Sequence, residues 1–64
     1  MMIRLNGKDV DCSGTVADIL RSYRIRPDSV VVERNGAIVH RQDYAAEKIG
    51  EGDVIEIVRM VGGG

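Results

Sequence analysis

The chain has 64 residues, 44% of them apolar, with nine basic and ten acidic side chains and a formal net charge of −1. That length allows one small domain, residues 1–64, with a modest core, and the balanced, interspersed charge disfavours a basic nucleic-acid-binding face. Two tyrosines are too few for a base-stacking platform, and the single Cys12 and single His40 supply neither an internal disulfide nor a metal site.

No apolar stretch approaches the ~20 residues that span a membrane, and no signal peptide is visible, so the expected location is cytoplasmic. Ile3-Arg4-Leu5 alternates apolar and polar character and runs into Asn6-Gly7, the dipeptide best suited to the two positive-φ positions of a type I′ hairpin turn. A second strand is expected over residues 8–12, with Val10 and Cys12 on one face, ended by Ser13-Gly14. Thr15 suits a helix N-cap and Asp18 its first turn. Val16, Ile19, Leu20 and Tyr23 follow at i, i+3, i+4 and i+7, which is one face of a helix. The spacing predicts a helix over residues 16–24, with Pro27 preventing continuation. So short a helix has to pack its apolar stripe on a sheet.

Val30-Val31-Val32 begins a third strand that ends at a second hairpin signal, Asn35-Gly36, and Ala37-Ile38-Val39 is a short fourth strand. Residues 40–48 have no clean period and are expected to form a turn of irregular helix in which Tyr44 and Ile49 cover the core. Gly50-Glu51-Gly52-Asp53 reads as a turn before a last, apolar strand-like run from Val54 toward Val61. One helix crossing one face of a mixed sheet of four to five strands is an α+β arrangement.

Alternation along the last strand sends Ile55 and Ile57 to the core and Val54, Glu56, Val58 and Met60 to the opposite face. With Val30 and Val32 inward, Val31 and Glu33 share that outer face. Val31, Val58 and Met60 are then expected to form an exposed apolar patch, a candidate partner-binding surface. Beyond it, Gly62-Gly63-Gly64 reads as a flexible, side-chain-free tail. Gly62 and Gly63 suit threading into a narrow channel, and the carboxylate of Gly64 is the candidate reactive group. No nucleophile–base pair or metal-ligand set suggests catalysis by the chain itself. Cys12 reads as a small buried hydrophobe, His40 as a loop residue, and Arg41 and Arg59 as solvated charges. The free chain is expected to be a monomer.

In the order, spacing and length of these pieces the chain resembles the ubiquitin-like β-grasp sulfur carriers, the ThiS/MoaD family. The resemblance spans essentially all 64 residues. It rests on Asn6-Gly7, on Thr15-Val16-Ala17-Asp18-Ile19-Leu20 and on Val32-Glu33-Arg34-Asn35-Gly36-Ala37-Ile38-Val39-His40-Arg41. Gly50-Glu51-Gly52-Asp53-Val54-Ile55 and the terminal glycines complete it. Members often carry Pro where this chain has His40, a departure confined to a loop. The resemblance implies that a ubiquitin-activating-type, ThiF-like adenylyltransferase uses ATP to adenylate Gly64. A persulfide from a donor such as a cysteine desulfurase then displaces AMP. The resulting thiocarboxylate passes its sulfur to a ThiG-like thiazole synthase in thiamine biosynthesis, and the carrier itself binds no cofactor. Alternatives left open are another sulfur acceptor (molybdopterin, cysteine or tRNA thiolation), conjugation to lysines as a protein modifier, or a passive binding module.

Overall fold

Two Asn-Gly dipeptides set the hairpins. Asn6 and Gly7 have φ of 49° and 83°, and Asn35 and Gly36 have 53° and 85°, the paired left-handed conformations of a type I′ turn. In the computed structural model, which describes residues 1–61, the first turn joins β1 (Met2–Leu5) antiparallel to β2 (Lys8–Asp11). The second joins β3 (Val30–Arg34) antiparallel to β4 (Ala37–Val39). The last strand, β5 (Val54–Arg59), lies between the hairpins, parallel to β1 and antiparallel to β3, so the sheet order is β2-β1-β5-β3-β4. Helix α1 (Val16–Ser22) supplies the other half of the core. This is the expected β-grasp, with a five-stranded mixed sheet and one main helix.

Ile3, Val16, Ile19, Leu20, Val32 and Ile55 are all but completely buried, and each such side chain contributes roughly 1.5–3 kcal/mol of transfer free energy. Ile57, Val10 and Cys12 pack against this cluster while partly exposed. The segment without a clean period forms a 3₁₀ turn, Arg41–Asp43, followed by further turns, and its Tyr44 and Ile49 are buried as expected.

That segment also completes the helix start. A helix leaves its first backbone N–H groups without internal partners. Here the N–H of Val16 donates to the Glu47 carbonyl and that of Ala17 to the Tyr44 carbonyl. The N–H of Asp18 donates to Thr15 Oγ1, and the Asp18 carboxylate accepts in return from the Thr15 N–H. The pair is a capping box with aspartate in the place of the usual glutamate. The Thr15 backbone N–H, its hydroxyl and Arg21 hold the Asp18 carboxyl below its ordinary range.

The helix is shorter than its spacing predicts. It stops at Ser22, Tyr23 is the C-cap, and Arg24 adopts a left-handed φ of 56°. The N–H of Ile25 reaches the Leu20 carbonyl and that of Arg24 the Arg21 carbonyl, the double bond pattern of a Schellman stop. The chain reverses three residues before Pro27. Tyr23, expected on the apolar face, is therefore 47% exposed, and Ile25 packs on the core instead. Strand β2 ends at Asp11, one residue before its expected limit, and β5 ends at Arg59.

Candidate partner-binding face

Strand β5 leads toward the C-terminus, and it is held on both sides. On the β1 side the register pairs Arg4 with Val54 and Leu5 with Ile55, and the Asn6 N–H continues the ladder to the Ile55 carbonyl. The chain then turns away, and the Asn6 side-chain amide takes over. Its Oδ1 accepts from the Ile57 N–H at 2.8 Å and its Nδ2 donates to the Ile57 carbonyl at 3.2 Å. A side-chain amide has the same donor and acceptor as a peptide unit, so Asn6 adds one rung where no strand remains.

On the β3 side the other turn asparagine has a parallel role. Asn35 Oδ1 accepts from the Val54 N–H at 2.9 Å, and its Nδ2 donates to Asp53 at 3.0 Å. Asp53, the buried carboxylate at the entry to β5, also accepts from the Gly50 N–H at 2.7 Å and from Arg34 Nε at 2.8 Å. Arg34 reaches onward to Glu47 at 2.9 Å. The Asn35 amide first, then the Gly50 N–H and Arg34, hold the Asp53 carboxyl below its ordinary range against the opposing effect of burial.

With both ends fixed, β5 presents alternate residues outward. Val31 lies directly opposite Val58, and Glu33 opposite both Glu56 on β5 and Ile38 on β4. The Met60 N–H donates to the Ser29 carbonyl, which keeps the chain on the sheet for one residue past β5. Val58 is 56% and Met60 53% exposed, and Val31 is partly covered. Ile38, at 60% exposure, widens the apolar patch beyond the three residues expected from the sequence. Beside it runs an open groove of about 250 Å³ lined by Pro27, Val31, Ile38, His40, Arg41 and Met60. The buried Val39 and Tyr44 also line it.

The other expected site residues, Gly62, Gly63 and Gly64, lie outside the described residues. Cys12 is half-buried against the core, and His40 is an exposed loop residue preceding the Arg41–Asp43 3₁₀ turn. The two structural asparagines and the Arg34–Glu47–Asp53 bridge carry no signal in local periodicity. Asn6 and Asn35 could have been singled out only as turn residues, and the bridge spans positions far apart in the chain.

Comparison with known proteins agrees with this geometry. The ThiS family model matches residues 3–64. The chain is 46% identical to the sulfur carrier protein ThiS of Bacillus subtilis, over 98% of this chain and 100% of that one. It is 39% identical to a region of the thiazole synthase of Magnetococcus marinus, over 100% of this chain and 20% of the synthase. Among solved structures, the thiamine biosynthesis protein ThiS of Geobacter metallireducens superposes with a TM-score of 0.86 at 29% identity, covering both chains completely. A full-length match to the family profile and near-half identity along a whole relative leave one assignment: the chain belongs to the ThiS family.

Proposed function

We propose that this chain carries sulfur for thiazole formation in thiamine biosynthesis, as a thiocarboxylate on Gly64. The observation that carries the reading is the full-length identity to a protein named as a sulfur carrier. The thiazole synthases that contain a region like the whole chain favour thiazole formation over the other sulfur acceptors.

The chemistry requires activation first. A carboxylate is a poor electrophile, so a ThiF-like partner joins Gly64 to AMP from ATP, releasing pyrophosphate. The terminal sulfur of a donor persulfide then attacks the acyl carbon, and AMP leaves. The product is an acyl disulfide between Gly64 and the donor. A second thiol attacks the donor sulfur of that bond, forms a disulfide with it and releases the Gly64 thiocarboxylate. The S–S bond is thus reduced at the expense of that thiol. Sulfur then passes to the substrate of a ThiG-like thiazole synthase. Nothing in this sequence of steps asks the carrier for a catalytic side chain or a bound cofactor. Its part is to present Gly64, with Gly62 and Gly63 slim enough to enter a narrow channel, and to offer Val31, Val58 and Met60 as an apolar grip.

The test is the intact mass of the chain after incubation with ATP, its adenylating enzyme and a persulfide donor. A species heavier by one sulfur-for-oxygen exchange, absent when Gly64 is deleted, is the expected result. An unchanged mass, or isopeptide-linked targets instead, would overturn the carrier reading.

A further inference from the structure

On the outer face of the sheet two carboxylates stand side by side, and no cationic side chain among the described residues pairs with either. Glu33 on β3 and Glu56 on β5 are direct register partners. The rungs on either side, from the Asn35 N–H to the Val54 carbonyl and from the Met60 N–H to the Ser29 carbonyl, fix the ladder. Facing residues at such a rung have Cα atoms about 5.5 Å apart, and like charges set directly opposite weaken a sheet. Among the described residues six ion pairs form, and neither glutamate takes part in any of them. The nearby arginines are turned away or already engaged. Arg34 and Arg59 have the opposite strand parity, and Arg34 is bonded to Glu47 and Asp53. Arg4 shares the outer face but is bonded to Asp9.

The surroundings of the pair are apolar. Val31 and Val58 form the neighbouring outward rung, Ile38 faces Glu33 from β4, and Val54 precedes Glu56 on its own strand face. A cation placed between the carboxylates would be ringed by these side chains once a partner covered them. Exclusion of water strengthens the attraction, and a guanidinium can bond two carboxylates at once. A local arrangement that weakens the free fold belongs at a working surface rather than a packing one.

We infer that Glu33 and Glu56 are a receptor for one cationic side chain, set in an apolar surface, of the thiazole synthase that accepts the sulfur. The inference rests on the carrier reading above. The choice of partner follows from the synthases that contain a region matching this entire chain. A carrier joined to its acceptor enzyme has that enzyme's surface as its constant neighbour.

Titration calorimetry of the separate chain against the thiazole synthase of the same organism, at several salt concentrations, tests the inference. The double variant Glu33→Gln, Glu56→Gln is expected to bind at least about tenfold more weakly, with a flatter salt dependence. Its free form should melt at the same or a higher temperature than the parent, because the repulsion is gone. That combination separates a receptor from a structural pair. Unchanged affinity, weaker binding accompanied by a lowered melting temperature, or an effect confined to the adenylating enzyme would each overturn the inference. So would absence of binding by the parent chain. Thiocarboxylate formation on Gly64, read by mass in the same preparations, reports separately on the carrier reading.

Discussion

Asp53 is the residue on which the entry to β5 turns. It is 9% exposed and accepts hydrogen bonds from Arg34, Asn35 and the Gly50 N–H. Asp53→Asn keeps the shape but sets an amide donor among donors and removes the charge facing Arg34. The expected loss is about 1–3 kcal/mol, read as a lowered thermal midpoint at neutral pH. The parent should also show a steeper acid-side slope than the variant, which retains only the part due to other depressed carboxyls such as Asp18. The folded carboxyl titrates lower than in the unfolded chain, chiefly because of the Asn35 amide. Its contribution is therefore complete above the unfolded carboxyl's pKa of about 4 and fades as pH falls through the lower folded value. Melting curves between pH 7 and strongly acid conditions check both. If the two proteins lose stability in parallel on acidification, the carboxylate is not the coupling group. Only the Gly50–Asp53 turn was legible in the sequence; the side-chain partners Arg34, Asn35 and Glu47 were not, because they pair across 13 to 19 positions and sit on elements of different kinds.

At the scale of elements, the strands and turns were legible and the helix end was not. The two Asn-Gly turns announce the hairpins because few other dipeptides adopt two consecutive left-handed conformations. The inward alternation of Val30, Val32, Ile55 and Ile57 follows from the pleat; the first three are buried and Ile57 packs on the core while partly exposed. The stop of α1 was hidden because its left-handed C′ position holds Arg24 where glycine is usual. Without that signal the apolar period runs on to Tyr23, and Pro27 looks like the terminator. The Schellman bonds and the partial burial of Ile25 against the core outweigh the strain at Arg24. Arg24→Gly should therefore relieve a left-handed penalty of about 1–2 kcal/mol, less the greater entropy of glycine in the unfolded chain. A net gain of about 0.5–1 kcal/mol is expected in chemical denaturation. Helix α1 should keep its length by amide exchange protection. A destabilised variant would mean that the Arg24 side chain holds the turn by contacts that outweigh the backbone term.

For the whole molecule, the relevant contrast lies between the two faces of one sheet. The inner face is closed by α1 and by Tyr44 and Ile49; the outer face leaves Val58, Met60 and Ile38 more than half exposed. An alternating strand gives neighbouring positions opposite consequences for the same substitution. Val58→Asp places a charge where the native side chain is 56% exposed. Its cost to the fold should stay within about 1 kcal/mol, the span of strand preferences. Val32→Asp, at a position with no exposure, buries an unpaired carboxylate and should abolish folding. In binding the order reverses in meaning: Val58→Asp sets a charge in the middle of an apolar contact. It should weaken association with the adenylating enzyme by about tenfold or more, the scale of a central interface residue. Circular dichroism melts establish that the variant is folded, and surface plasmon resonance against the adenylating enzyme reads the loss. A folded Val58→Asp chain that binds as tightly as the parent would remove the apolar patch from the grip, leaving recognition to Gly62–Gly64. An unfolded one would mean that β5 depends on its outer face for stability, which the pairing of Val58 with Val31 alone does not lead us to expect.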